Sequence, residues 1–137
     1  MKIVIDTNIL IAGLLKDSTV RRILFSKKID FFIPEQAILE VKKYEKYLCK
    51  KAGYNDETFW FMFNSILDHI NLISNFSIKP FMEQAKFIMN EIDINDSSFI
   101  AACFSVGSEG IWSFDRHFNK QEEVRVFNIN EILSYLK

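Results

Sequence analysis

The chain has 137 residues, of which 49% are hydrophobic, and its 17 basic and 18 acidic residues leave a formal net charge of −1. This length predicts a single domain over residues 1–137 with its own hydrophobic core, and the near-neutral charge excludes nucleic-acid binding by bulk positive charge. Asp6 interrupts the first apolar run before it reaches the length of a signal peptide, and no segment is apolar enough for a membrane span. We therefore expect a cytoplasmic protein.

The first half of the chain predicts two strands and four helices. The β-branched run over 2–5 ends at Asp6, which is typical of a strand buried on both faces, and helices are expected over 8–15 and 19–26. A second strand over 29–33 stops at Pro34 and leads into one long amphipathic helix over 35–52. After the turn at Gly53, Asp56 is expected to cap a helix that ends near residue 69.

The second half continues this alternation. A third strand is predicted over 70–73, Pro80 introduces a helix to residue 92, and Asp96 caps a helix that ends at Gly107. Strands over 110–114 and 124–127 precede a closing helix over 130–136. Alternating strands and helices favour parallel pairing with right-handed crossovers. The predicted fold class is α/β, with three α/β/α layers around a central, mainly parallel sheet of about five strands.

Four acidic residues are expected to meet at one edge of this sheet. Asp6 directly follows the first strand, Asp115 directly follows the fourth, and Asp96 begins the helix that leads into the fourth. Glu40 lies about one and a half turns into the helix after the second strand, from which a long side chain can reach the same edge. Ligands of open α/β sheets bind beyond the carboxyl ends of the strands. The four carboxylates are therefore the predicted site.

The gathering of carboxylates predicts a bound cation. Carboxylates at one place repel each other and stay ionised together only when a cation neutralises them. Mg²⁺ or Mn²⁺ is the expected cofactor, because both bind through carboxylate oxygens and substrate phosphate. The sequence shows no histidine or cysteine cluster that would form a zinc site instead; Cys49 and Cys103 are expected to be free buried thiols. The chemistry typical of such a site is phosphodiester hydrolysis.

The segments around these acids resemble motifs of the PIN-domain family. Residues 3–8, Ile-Val-Ile-Asp-Thr-Asn, look like the opening Asp-x-Asn of the family, and Glu40 stands where its second acid falls. Residues 96–102, Asp-Ser-Ser-Phe-Ile-Ala-Ala, resemble its third acid and trailing apolar helix, and residues 111–118 resemble its last strand and acid. Each motif alone is weak, but four in this order and spacing are fairly specific.

This resemblance implies a PIN-like, Rossmann-like fold and a metal-dependent ribonuclease. Asp6, Asp96 and Asp115 would hold the metal directly, while Glu40 would bind it directly or through water. Most PIN domains of this compact size resemble VapC-type toxins that act on structured RNA. A toxin of this type would have a protein antitoxin as its partner, with a segment of the antitoxin filling the groove.

The resemblance also implies supporting roles around the metal. Asn8 and Ser113 would fix the orientation of the carboxylates, as groups behind the ligands of metal sites do. Ser113 replaces the more usual threonine and keeps its hydroxyl. Asp93, three residues before Asp96, would be a further acid at the rim.

Basic residues near the acids are candidates for contact with a phosphate backbone. Arg116 and His117 follow Asp115, and five lysines follow Glu40 in the same predicted helix, namely Lys42, Lys43, Lys46, Lys50 and Lys51. A solvated helix face explains the lysines equally well, and capping or surface contacts explain the other two. Both interpretations remain open.

The segment 59–63, Phe-Trp-Phe-Met-Phe, would place apolar side chains all round a helix. One core-facing stripe needs fewer. A homodimer or a partner helix would cover the second side. Packing against another helix of the same chain is the competing explanation.

Other functional classes compete with a toxin-like endoribonuclease. A PIN nuclease that processes RNA without being a toxin is not separated from it by sequence; a small antitoxin gene immediately upstream would separate them. A haloacid-dehalogenase phosphatase needs Asp-x-Asp after the first strand, where residues 6–8 are Asp-Thr-Asn. A receiver domain needs an aspartate at the end of the third strand, where residues 73–75 are Ile-Ser-Asn. The intact acids disfavour a module that binds nucleic acid without cleaving it.

Overall fold

The computed structural model describes residues 1–137, and its centre is a sheet of five parallel strands. In chain order the strands are β1 (Lys2–Ile5), β2 (Asp30–Pro34), β3 (Ile70–Ile73), β4 (Gly110–Trp112) and β5 (Val126–Phe127). They lie in the order β3-β2-β1-β4-β5, and each neighbouring pair is parallel. The predicted α/β fold with a central parallel sheet is confirmed.

There are nine α-helices, of which the first eight connect the strands and the last follows β5: α1 (Thr7–Leu15), α2 (Thr19–Leu24), α3 (Glu35–Lys43), α4 (Glu45–Ala52), α5 (Asp56–Leu67), α6 (Asn75–Ile78), α7 (Met82–Met89), α8 (Ser97–Val106) and α9 (Ile129–Tyr135). Short 3-10 helices span Lys79–Phe81, Ile94–Asp96 and Arg116–Lys120. None of the helices has both the length and the apolar character needed to cross a bilayer.

Helices cover both faces of the sheet, because the crossover connections run first toward one edge of the sheet and then toward the other. From β1 to β3 the strands are added toward one edge, and the connection from β3 to β4 returns to the other side of β1. Crossovers of one hand that run in opposite directions place their helices on opposite faces. Helices α1 to α5 therefore lie on one face, and α6 to α8 lie on the other.

The core lies between the sheet and these helices. Ile3, Val4 and Ile5 of β1 have no exposed surface, as expected for a central strand covered on both faces. Helix α8 packs across β1, β2 and β4, and Gly107 ends it in the left-handed conformation (φ 61°) that glycine adopts without strain. Together 36 buried hydrophobic residues form one cluster, which holds the strand ends in fixed positions.

The order of the strands reverses between β1 and β4, so these neighbours form the switch point of the sheet. Asp6 directly follows β1, and Ser113 directly follows β4. Helix α8 runs from the carboxyl edge of the sheet back to the start of β4, so its first residues lie at the same edge. Open α/β sheets bind ligands at this place.

The predicted long helix over 35–52 is wrong, because the chain forms two helices that meet at Tyr44 (φ −100°, ψ 18°). The apolar pattern placed Tyr44 on the same buried stripe as Val41 and Leu48. In the structure Val41 and Leu48 are buried, whereas Tyr44 is 54% exposed. A continuous helix would carry the phenol into the core, where its hydroxyl needs a partner. The break turns it outward.

Several other predicted boundaries are wrong because polar side chains bind the backbone locally. Asn55 rather than Asp56 caps α5, accepting a hydrogen bond from the backbone N–H of Thr58 (2.7 Å). Strand β5 begins two residues later than expected, because Gln121 holds the backbone N–H of Val124 (2.9 Å) in a loop. The segment 80–92 forms a 3-10 turn and the shorter α7, and α6 has no predicted counterpart.

The aromatic segment 59–63 lies in α5 and is mostly covered by the chain itself. Phe59 and Phe63 are fully buried and stack with their ring centroids 5.8 Å apart. The ring of Trp60 packs edge-on against both, whereas Phe61 is 71% exposed. Packing within the same chain thus covers Phe59 and Phe63 fully and Trp60 and Met62 in part, and leaves Phe61 exposed. A homodimer stays a prediction.

Candidate metal centre

Asp6 is the most deeply buried acid of the site, with 4% of its surface exposed. Because it directly follows β1, it is the N-cap of α1, and its Oδ1 accepts a hydrogen bond from the backbone N–H of Ile9 (3.0 Å). Its Oδ2 accepts a hydrogen bond from the hydroxyl of Ser113. These two bonds fix the orientation of the carboxylate.

Ser113 connects the ends of the two strands at the switch point. Besides donating to Asp6, its Oγ accepts a hydrogen bond from the backbone N–H of Asp115 (2.9 Å). Asp115 in turn begins the 3-10 helix Arg116–Lys120, because its Oδ1 accepts from the backbone N–H of His117 (2.9 Å). One hydroxyl therefore positions both Asp6 and Asp115 relative to each other.

We expect Ser113→Ala to lower both stability and metal affinity. The substitution leaves a buried carboxylate oxygen of Asp6 without its donor, which costs about 1–3 kcal/mol. Removing a group that orients a ligand weakens metal binding roughly tenfold to hundredfold. Urea unfolding and Mn²⁺ titration measure the two effects. Ser113→Thr keeps the hydroxyl and should stay near wild type in both; equal Mn²⁺ affinity of Ser113→Ala would contradict the orienting role.

Asp96 begins α8, but its side chain makes no capping hydrogen bond. Asp96 is thus the N-cap residue of α8, as predicted, but the 3-10 turn Ile94–Asp96 ahead of α8 leaves it at φ −88° and ψ 3°, away from the extended geometry in which its side chain would cap the helix. Its Oδ2 is buried and has no hydrogen-bond partner, although buried polar atoms almost always have one. The carboxylate is thus free to bind a ligand.

The electrostatics of the site disfavour charged carboxylates when no cation is bound. The pKa of Asp96 is raised to about 6, chiefly by burial and further by the charges of Asp93 and Asp115, while His117 opposes the rise. Burial also raises the pKa of Asp6, against the hydrogen bonds from Ser113 and Ile9. Raised pKa values of this origin are typical of functional sites.

This shift predicts how stability without metal depends on pH. The pKa of Asp96 is higher in the folded chain than its usual value of 3.8, so protonation of Asp96 stabilises the fold and ionisation above about pH 6 removes that stabilisation. In chelator, we expect Asp96→Asn to melt above wild type at about pH 7.5, and the difference to narrow steadily toward about pH 4. Melting curves of both proteins across this range are the measurement. A difference independent of pH would contradict the raised pKa.

The four predicted acids line one cavity of about 300 Å³ at the carboxyl edge of the sheet. Its complete lining is Asp6, Thr7, Asn8, Ile11, Glu40, Tyr44, Asn95, Asp96, Phe99 and Asp115. Glu40 reaches it from α3, and the hydroxyl of Thr7 donates a long hydrogen bond to Glu40 Oε2 (3.4 Å). Four acids from separate parts of the chain therefore share one space.

A second group lies beside this cavity and includes a histidine. His117 Nδ1 lies 3.4 Å from Asp115 Oδ1, 3.7 Å from Asp93 Oδ2 and 4.0 Å from Asp96 Oδ2. Asp93, Asp96 and His117 each place one potential ligand atom within 4.8 Å of the others, which is close enough to share a metal ion. The sequence did not predict this group, because only folding brings His117 among three carboxylates.

The residues present fit a divalent cation. Asp96 Oδ2 and His117 Nδ1 are both buried without hydrogen-bond partners, and the pKa values of Asp6 and Asp96 are raised. A cation bound between such groups would satisfy the unpaired atoms and neutralise the repelling charges. Carboxylate oxygens are the donors that Mg²⁺ and Mn²⁺ prefer, and imidazole nitrogen adds affinity for transition metals.

Comparison with known proteins identifies the family. A family model described as "PIN domain" matches residues 4–135. The chain belongs to the PIN-domain family. Among solved structures, VapBC2 from Rickettsia felis bound to a DNA fragment from its promoter contains a chain with the same fold, at a TM-score of 0.71 and 15% identity. The match covers 93% of this PIN domain and 98% of that chain. No curated protein matches.

The supporting residues predicted for this PIN domain lie at different distances from the cavity. Asn8 is exposed and lines it, and Asp93 lies beside it, where its Oδ1 accepts from the backbone N–H of Asn95 (3.0 Å). Lys43 is exposed at the end of α3, with its Nζ 5.9 Å from the ring centre of Tyr44, a residue of the lining. Arg116 is exposed and forms no ion pair.

Sequence reasoning missed three polar groups of the PIN cavity. Thr7 and Asn95 are each adjacent to a predicted acid, and that adjacency was the available signal. The position of Tyr44 was misleading, because the apolar period of the predicted helix over 35–52 placed Tyr44 in the core. The role of His117 near Asp93 and Asp96 depends on the 3-10 helices at Ile94–Asp96 and Arg116–Lys120, which no sequence pattern indicated.

Proposed function

We propose that this PIN domain is a metal-dependent endoribonuclease, which hydrolyses phosphodiester bonds of RNA with Mg²⁺ or Mn²⁺. The supporting observation is the shared cavity at the switch point of the sheet, where four acids meet: one directly after β1, one in α3, one directly before α8 and one in the segment after β4. Two of them, Asp6 and Asp96, have raised pKa values. Acids that converge in a cleft at the switch point of a sheet, with raised pKa values, are typical of functional sites.

The four acids would bind the metal in the proposed reaction. Asp6, Asp96 and Asp115 would hold the metal directly, and Glu40 would bind it directly or through water. These residues would hold a divalent cation, which would supply charge neutralisation at the scissile phosphate and activation of a water nucleophile. Ser113 keeps the carboxylate of Asp6 and the backbone of Asp115 in position, so that the ligands need little rearrangement.

RNA would approach over the rim of the cavity next to α3 and α4. Lys43 and Tyr44 lie on this rim, where an ammonium group can bind backbone phosphate and an exposed ring can stack on a base. Arg116, exposed beside Asp115, would contact phosphate on the opposite side. We propose that the enzyme acts on its RNA substrate in the cytoplasm.

The proposed biological role is that of a VapC-type toxin with a protein antitoxin. It is supported by the shared fold with a chain of the VapBC2 complex over nearly the full length of both chains. A segment of the antitoxin would cover the cavity, and Phe61 would contribute to a homodimer. Expression in a bacterial host should arrest growth, and co-expression of a small gene found immediately upstream should relieve the arrest. Continued growth with active enzyme present would instead favour an RNA-processing nuclease.

The substrate class is tested with paired nucleic acids. A structured RNA and DNA of the same sequence are incubated with the protein and Mn²⁺ or Mg²⁺, with Asp96→Asn as the control for contaminating nuclease. The proposal predicts internal cleavage of RNA and intact DNA. Cleavage of DNA alone, or of neither substrate under any of these conditions, would contradict it.

A further inference from the structure

We propose that Gln36 and Ser98 are positioning residues, and that the hydrogen bond between their side chains sets the separation of two acids, Glu40 and Asp96, across the cavity. The inference rests on the proposed function in taking these two acids as ligands of one metal. It assigns a role to two residues that lie outside the cavity lining.

The bond joins the two helical layers. The amide Nε2 of Gln36 donates to the hydroxyl of Ser98 over 3.0 Å. Gln36 lies in α3, among the helices on one face of the sheet, whereas Ser98 lies in α8 on the other face. Of the hydrogen bonds between two side chains, it is the one that joins helices from opposite faces. The bond therefore ties the two layers together at the carboxyl edge of the sheet.

Both partners lie close along the chain to an acid of the cavity. Glu40 follows Gln36 by four residues, which places the two side chains on the same side of α3, about one turn apart. Asp96 precedes Ser98 by two residues and begins α8. The hydrogen bond thus fixes the helix that carries Glu40 relative to the helix that Asp96 begins.

Apolar packing alone does not fix the direction of α3. Its three buried apolar side chains pack on α1 and β2, but apolar contacts are non-directional, whereas a hydrogen bond specifies distance and angle. Helix α3 ends at Tyr44, so α4 does not extend it. Glu35 accepts from the backbone N–H of Asn75 (2.9 Å), but this contact lies near the end of β3, away from the cavity. The side chain of Glu40 makes only the long hydrogen bond with Thr7 (3.4 Å). The direction of α3 beside the cavity therefore depends on its bond to α8.

The bond is shielded from water and can be removed cleanly. Ser98 is 4% exposed, and Gln36 is half-buried. Such a bond persists, because a buried polar group without a partner is unfavourable. Gln36→Met is the variant of choice, since methionine has the length and helix propensity of glutamine but no amide. Ser98→Ala removes the same bond from the other side.

Mn²⁺ titration measures the effect on the ligands without RNA. Gln36→Met and Ser98→Ala should each weaken Mn²⁺ binding by about tenfold, as the loss of groups that orient metal ligands does. The double variant should bind Mn²⁺ no more weakly than either single variant, because both changes remove one bond. Ser65→Ala in α5, whose hydroxyl donates to the backbone of Phe61 (2.7 Å), is the matched control and should bind Mn²⁺ like wild type.

A Glu40→Gln background tests whether the bond acts through Glu40. If it does, Gln36→Met should cause no further loss of Mn²⁺ affinity in that background. A bond that only stabilises the fold would cost the same in both backgrounds. Should Gln36→Met fail to fold, Ser98→Ala takes its place in this comparison. Hydrogen exchange of the α3 amides in chelator gives a second readout, and loss of the bond should speed it by roughly three- to tenfold.

Three results would overturn the inference, whether or not RNA is cleaved: unchanged Mn²⁺ affinity in Gln36→Met and Ser98→Ala, additive losses in the double variant, or an equal loss in the Glu40→Gln background. The expected pattern of Mn²⁺ affinities in a chain that cleaves no RNA would instead contradict the proposed function and leave the inference intact. A wild-type chain that binds no Mn²⁺ would contradict both.

Discussion

Asp96→Asn should reduce RNA cleavage by about a hundredfold or more while leaving the protein folded. The carboxylate of Asp96 lines the cavity, makes no capping bond to α8 and has a buried oxygen without a partner. Substitution by asparagine therefore removes a charged ligand without removing a structural hydrogen bond. Initial rates of RNA cleavage at saturating Mn²⁺ measure the effect.

The stability of the same variant separates a metal ligand from a structural residue. In chelator, Asp96→Asn should melt no lower than wild type, because it removes a charge that burial and its neighbours disfavour. Added Mn²⁺ should raise its melting temperature less, since stabilisation by a ligand follows its affinity. Asp17→Asn, at a side chain that is 71% exposed, is the matched control and should match wild type in both measurements. If Asp96→Asn kept both activity and metal response, Asp96 would not belong to the cluster.

Asp6→Asn should also reduce cleavage by about a hundredfold or more, and comparison with Asp6→Ala separates its two roles. The carboxylate is a proposed metal ligand and also caps α1 through Ile9. Asparagine retains capping ability, whereas alanine loses the cap at a cost of about 0.5–2 kcal/mol and leaves the Ser113 hydroxyl without its acceptor.

Urea unfolding and cleavage assays of both Asp6 variants provide the measurements. Both variants should be inactive, but Asp6→Ala should be clearly less stable than Asp6→Asn. If the activity of Asp6→Asn stayed within a few-fold of wild type, Asp6 would act only as a helix cap and not as a metal ligand.

The fold could be predicted from the sequence because its signals are local. The run Ile3 to Ile5 is β-branched and fully buried, and Gly53 and Gly107 end helices with positive φ. The prediction fails where the position of a side chain depends on contacts with residues distant in sequence. Tyr44 has the spacing of a core residue but would bury a hydroxyl, so the helix breaks there. Neither periodicity nor propensity contains that information.

Some residues of the candidate site could likewise be predicted from the sequence, and others could not. Asp6 and Asp115 could be placed at one edge of the sheet, because the carboxyl ends of parallel strands meet there. The grouping of Asp93, Asp96 and His117 could not be predicted, since it depends on two 3-10 helices that the core packs together. The hydrogen bond from Ser113 to Asp6 joins residues 107 positions apart, and only the resemblance to PIN domains indicated a supporting role for Ser113.

Removal and return of the divalent metal is the most direct test of the carboxylate cluster. One preparation of the wild-type chain is assayed for RNA cleavage in excess chelator and again after Mn²⁺ or Mg²⁺ is added beyond the chelator. Cleavage should stop in chelator and return with metal, and Asp6→Asn purified in the same way should stay inactive throughout. Cleavage at full rate in chelator, from a preparation whose Asp6→Asn counterpart is inactive, would contradict metal-dependent hydrolysis at this site.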